Sequence, residues 1–180
     1  VQADPQTIRR MCRDVMDLRE KAGLLFTQDG HRDGSIALAE TLEIIGPWSY
    51  LSHSVDLTEG DMAAAKRSGT SIVHNPSAIM SVYGRCPAPE LRDMGVNVAL
   101  GSDAAAPDRG YDMFRHMAQC LHYHRRHFRD PDVMMPIDVL EMCTIDAARA
   151  IGLQDDLGSL EAGKKADIVM LDRKQAHFYP

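Results

Sequence analysis

Four short apolar segments, at 24–28, 49–53, 71–75 and 96–103, begin at intervals of 25, 22 and 25 residues. Each ends in a polar residue and runs into a stretch of helical periodicity. One strand, one helix and two short loops consume just such an interval. The repeated unit predicts a parallel α/β sheet with right-handed crossovers. In such a sheet the carboxyl ends of the strands share one rim, and chemistry collects there. Gln28, His53, His74 and Asp103 stand at the four tips and make a candidate site floor.

The connecting segments carry their own signals. Residues 5–22 open with Pro5, place apolar residues at 8, 11, 12, 15, 16 and 18, and stop at Gly23, which predicts a helix. Further helices are predicted at 35–45 and, behind Thr58 as N-cap, up to Gly69. Residues 77–87 read as a loop, followed by a helix at 88–94. After Asp103 the pattern changes to a loop, a long helix at 111–128 and helices at 136–144 and 146–151. The tail at 158–172 reads as turns, then an apolar strand. An eight-unit barrel needs roughly 200 residues or more. Four units therefore predict half a barrel or a small open sheet.

Composition narrows the classes. A net charge of −6 argues against a general nucleic-acid binder, which needs surplus Lys and Arg against phosphate. The basic stretch His122 to Arg129 reads as a solvated helix face. No apolar stretch approaches the ~20 residues of a membrane span. Cys12, Cys86, Cys120 and Cys143 form no C-x-x-C pair and read as reduced thiols of a cytoplasmic protein without a leader. A chain starting at Val1 is expected to be a piece of something longer.

Four motifs then occur in order: His53-x-x-Asp56-Leu57-Thr58; His74-Asn75-Pro76-Ser77; Gly95-Val96-x-Val98-Ala99-Leu100-Gly101-Ser102-Asp103; and Gly158-Ser159-Leu160-Glu161-x-Gly163-Lys164-Lys165-Ala166-Asp167. As a set they resemble the amidohydrolase superfamily, closest to the branch of adenosine-type, guanine and cytosine deaminases and triazine hydrolases. The resemblance implies a (β/α)₈ TIM-type barrel, of which residues 1–157 would supply the fifth to eighth strands. Residues 158–180 would begin the small β-sandwich beside it. It also implies a divalent metal, zinc or iron, at the barrel's carboxyl rim. His53 matches the sixth-strand histidine and Asp103 the eighth-strand aspartate, both as metal-site and catalytic residues. Gln28 falls on the fifth-strand ligand position and His31 on the acid/base position, where the family usually shows His-x-x-Glu.

Two departures stand out. The family's His-x-His pair after the first strand is missing. His122-Tyr123-His124 has its letters but sits in a predicted helix, where residues two apart do not share a face. Glutamine is also a poorer zinc ligand than imidazole. The chemistry implied is metal-assisted hydrolysis, in which a bound ion lowers the pKa of its water from about 15.7 towards ~7. Asp103 would shuttle the proton, His53 would stabilise charge on the attacked group, and His31 would protonate the ring or the leaving group. The expected activity is hydrolysis of a C–N bond, not a peptide bond, in a cyclic amidine or amide. Deamination of a small purine- or pyrimidine-type heterocycle is the leading version, carried out by a homo-oligomer at full length; half a barrel alone is expected to be inactive. The alternatives are a degenerate binding protein of the same fold and a small flavodoxin-like domain. The second lacks a Gly-rich phosphate loop after its first strand. From the residues alone, Asp103 could merely cap a turn, while His53 and His74 could be structural histidines and Arg85 a solvated one.

Overall fold

The computed structural model describes residues 4–78, 80–104 and 110–174. In chain order the elements are α1 (Pro5–Ala22), β1 (Phe26–Asp29), α2 (Ser35–Thr41), β2 (Ser49–Ser52), α3 (Glu59–Ser68), β3 (Ser71–His74), α4 (Met80–Tyr83), α5 (Ala88–Asp93), β4 (Val98–Leu100), α6 (Met113–Phe128), α7 (Pro136–Cys143) and α8 (Ile145–Ala150). The four strands form one parallel sheet in the order β1-β2-β3-β4. Consecutive parallel strands lying side by side are what successive βα units of a barrel produce. The predicted loop at 77–87 contains the short helix α4, and the expected strand in the tail is not formed among the described residues. Residues 175–180 of that tail lie outside the description.

The register decides which side chains share a face. Gln28 pairs with Leu51, Leu51 with Ile72 and Ile72 with Val98. Leu51, Ile72 and Val98 are fully buried against the helices, together with Ile36, Leu91, Cys120, Val139 and Met142. The alternate row, Asp29, Ser52, Val73 and Ala99, points away from the helices. This second face is the more open one at Thr27, Asp29, Tyr50, Ser52 and Val73.

Local chemistry sets the helix ends. The Asp4 carboxylate accepts the Gln6 and Thr7 amides to start α1, and Gly23 ends it in the left-handed region at φ 62°. Despite an apolar stripe of Ile8, Met11, Val15 and Leu18, α1 contains no buried residue. Thr58 caps α3 in a reciprocal box with Asp61. Asp61 does more than close that box. Its carboxylate also accepts the backbone amides of Gly34, Ile36 and Ala37 at 2.7–3.0 Å, so one fully buried acid caps two neighbouring helices. No helix among the described residues is long and apolar enough to cross a membrane. All four cysteines are free thiols.

Burial alone would raise the Asp61 pKa. The amides of Ala37, Thr58 and Gly34 and the Thr58 hydroxyl outweigh it and hold the group below its ordinary value. A lowered pKa stabilises the fold above the unfolded value of ~3.9, and this contribution is lost as pH falls through the folded value. Asp61→Asn turns an amide N–H towards these donors and is expected to cost about 2 kcal/mol or more at neutral pH. Urea midpoints of both proteins should converge as the pH falls from about 4 through the lowered folded value.

Candidate metal and catalytic site

Side chains from three of the four strand ends meet on the open face of the sheet. His53 follows β2 with φ 65° and Ser54 with φ 50°, while Asp103 beyond β4 has φ 60°. Non-glycine residues rarely adopt this left-handed region, and clusters of them mark sites held by their surroundings. The surroundings here are specific. The His53 amide donates to the Val73 carbonyl at 3.0 Å, so the turned residue stays tied to the ladder. Its Nε2 lies 3.2 Å from Asp29 Oδ1 and 3.7 Å from Asp103 Oδ2. Asn75, just past β3, donates from Nδ2 to Ser52 Oγ at 3.0 Å and stands 3.5 Å from His53 Nδ1. With Nδ1 facing that amide, Nε2 is the His53 atom presented to the carboxylates.

The loops behind this rim are fastened to one another. Asp56, in the turn after His53, accepts the Arg85 amide at 3.0 Å and donates its own amide to the Arg85 carbonyl at 2.8 Å. Arg85, expected to be solvated, is instead partly buried and paired with Glu90 through both guanidinium nitrogens. On the other side the Val55 amide donates to the His31 carbonyl at 2.9 Å. His31 is 6% exposed. Its Nδ1 meets Ser35 Oγ at 2.9 Å, and the same hydroxyl oxygen accepts the Arg32 amide. His31 Nε2 is a buried atom with no partner among the described residues. Burial pushes the His31 pKa down, against the opposing pull of Asp61 and Asp29.

Two of the four expected tip residues do not join the cluster. Gln28, anticipated as a ligand, shares the helix-covered face with Leu51 and Ile72, and its Oε1 is buried without a partner among the described residues. The neighbouring Asp29 takes the place beside His53. Sequence reasoning passed over Asp29, although the period of two supplied the signal: Phe26 packs on the core, so Gln28 follows it and Asp29 does not. His74 pairs in register with Leu100 on the same covered face and is buried against α6. In the His122-Tyr123-His124 segment, His122 is exposed and His124 buried, as their helical spacing requires.

Successive parallel βα units with polar side chains gathered at the carboxyl ends of the strands are the frame on which barrel enzymes build their sites. Residues 15–179 match the model of the amidohydrolase family, and the chain belongs to that family. It is 36% identical over 146 residues to a 5-methylthioadenosine/S-adenosylhomocysteine deaminase of Syntrophobacter fumaroxidans, covering 81% of this chain and 33% of the relative. It is 30% identical over 164 residues to a 5'-deoxyadenosine deaminase of Methanosarcina mazei, covering 91% and 38%. Among solved structures, an adenosine deaminase from Xanthomonas campestris with bound zinc superimposes with a TM-score of 0.86 at 25% identity, covering 96% of this chain and 42% of that one. A zinc-complexed atrazine chlorohydrolase from Arthrobacter aurescens shares the fold, with a TM-score of 0.75 at 19% identity over 88% of this chain and 38% of that one. The chain thus spans about a third of the length of the curated relatives it matches.

Gly101 provides a direct check on how tightly the rim is built. A Cβ there would overlap Asn75 Oδ1 and stand 2.9 Å from Val73 Cγ1. Gly101→Ala is expected to displace Asn75 from Ser52 and to cost about 1–3 kcal/mol, as overpacking does. A shift in denaturation midpoint measures it.

Proposed function

We propose that this chain supplies the later strands of a metal-dependent (β/α)₈ hydrolase that removes the exocyclic amino group of an adenosine-type purine. The observation that carries the reading is the placement of His53 Nε2 between Asp29 and Asp103 at the carboxyl rim. The deaminase names of the relatives support the reaction class, and they do not favour the binding-protein alternative.

The donors fit a divalent ion. One imidazole and two carboxylates are donors that zinc or iron(II) takes, and the carboxylates flank His53 Nε2 at 3.2 and 3.7 Å without closing into a tight three-atom set. We assign His53, Asp29 and Asp103 to that role, in place of His53, Asp103 and Gln28. When bound, the ion supplies Lewis acidity and lowers the pKa of water at the site. The chain's residues do the rest. Asp103 accepts a proton from the attacking water and passes it to the departing nitrogen. The water oxygen forms its bond to the ring carbon, the C–N bond breaks and ammonia leaves, and the second water proton passes to the adjacent ring nitrogen so that the carbon becomes a carbonyl. Such positioned proton transfer contributes about 10²–10⁴-fold. His31, its pKa lowered by burial, presents its Nε2, unpartnered among the described residues, to a ring nitrogen of the substrate as a hydrogen-bond donor. Asn75 orients His53.

We also propose a domain boundary at 157/158, with residues 158–180 leading into a small β-sandwich. The exposed run Ile168, Val169, Met170 and Leu171 supports this, because apolar side chains in a row need a partner surface.

The test measures ammonia release by the zinc-loaded full-length protein from adenosine, 5'-deoxyadenosine, 5'-methylthioadenosine, guanine and cytosine. Turnover of an adenosine derivative is expected, with Asp103→Asn reducing it at least about 10²-fold. Asp29→Asn is expected to lower zinc content, whereas Gln28→Ala leaves it unchanged. Wild-type rates in Asp103→Asn would remove the mechanism. Zinc loss in Gln28→Ala but not in Asp29→Asn would restore Gln28 to the ligand set.

A further inference from the structure

A second group of metal-competent side chains lies on the opposite face of the sheet, between β3 and α6. One ligand atom from each of His74, Cys120 and His124 lies within 4.8 Å of the others. Exposure is 1% for His74 and zero for Cys120 and His124. Cys120 and His124 stand four residues apart on α6 and so present one face to the strand. Beside them is Met134, 2% exposed, with its Sδ 3.6 Å from Cys120 Sγ. We propose that His74, Cys120 and His124, with the Met134 thioether as a weaker fourth donor, form a buried binding site for a thiophilic metal ion.

The geometry argues for this beyond mere proximity. Two nitrogens bound at about 2.0–2.1 Å to one tetrahedral ion stand about 3.3 Å apart. The Nε2 atoms of His74 and His124 are 3.2 Å apart. A hydrogen bond between the two rings explains that distance equally well, but it leaves other atoms unexplained. Cys120 Sγ, directed at the Met134 thioether, lies within 4.8 Å of a nitrogen of each ring, an approach that a ring-to-ring hydrogen bond does not account for. A core ordinarily avoids placing so many polar and polarisable atoms together without a common partner.

The donor set and its charge define the ion. The thiolate and thioether are soft ligands and the two imidazoles borderline ones, the combination that suits copper(I) or zinc over harder cations. Binding deprotonates Cys120, and the proton leaves to solvent. Copper(I) with one thiolate gives a neutral cluster, whereas zinc would leave a buried positive charge. No carboxylate is part of the group, and the Glu90 carboxylate nearby is already committed to Arg85. Charge therefore favours copper(I). The site is separate from the His53 cluster and does not depend on the deamination reading.

The test is X-ray absorption on the full-length protein, loaded anaerobically with cuprous ion and, in a parallel sample, with zinc. One ion per chain with sulfur and imidazole scatterers is expected. Cys120→Ser should remove the short thiolate scatterer at about 2.3 Å, leaving at most the Met134 thioether, and weaken binding about tenfold or more, since even the loss of a supporting partner costs that much. Cys86→Ser and Asp103→Asn should retain the sulfur-bound ion. Sulfur-bound copper supports both the site and the charge argument; sulfur-bound zinc without copper supports the site and overturns the preference. Coordination by nitrogen and oxygen alone in the wild type overturns the proposal whether or not the variant folds. So does a thiolate-length sulfur signal that survives Cys120→Ser.

Discussion

Parallel pairing in a fixed register is the constraint from which the arrangement of this protein follows. Once Leu51, Ile72 and Val98 are hydrogen-bonded side by side, every second residue of each strand is committed to the helix-covered face. The remainder are committed to the open one. Asp29 reaches His53 because it is the odd member of β1, and Gln28 is kept from it by a single step along the chain. A slip of one residue would exchange their roles and bury a carboxylate among leucine and isoleucine.

The rim beyond the sheet is held by side chains rather than by strand ladder. Left-handed backbone at His53, Ser54 and Asp103 is unfavourable in itself. It persists because Asn75 joins Ser52 and His53, because Asp56 pins the Arg85 backbone, and because Gly101 leaves room for the Asn75 amide. Asp61 acts one layer behind, capping α2 and α3 together and so fixing the two helices that follow β1 and β2. A site whose donors come from several strand ends needs such cross-links, since no one element can set their mutual distances.

The two faces of the sheet carry opposite chemistries in the same small space. On the open face, one imidazole stands beside two carboxylates, a harder, oxygen-rich donor set. On the covered face, His74 and His124 meet sulfur in the core. The alternation that separates Gln28 from Asp29 also separates His74 from Asn75, and one residue of each strand end looks to each side.

Much of this was legible in the chain itself. The strand spacing, the Pro5 and Gly23 signals around α1, the Thr58 cap and the ordered motifs fix the element order and the family. They do so because local propensity and hydrophobic period are properties of contiguous residues. The pairing of His53 with Asp103 was also legible, since both stand at strand tips. What tertiary structure decided was facing and partnership: Asp29 over Gln28, Arg85 bound to Glu90 rather than solvated, Asp61 shared by two helices, His124 turned to His74 across 50 residues. Those outcomes depend on register and on distances between segments far apart in the chain, which no window of neighbouring residues encodes.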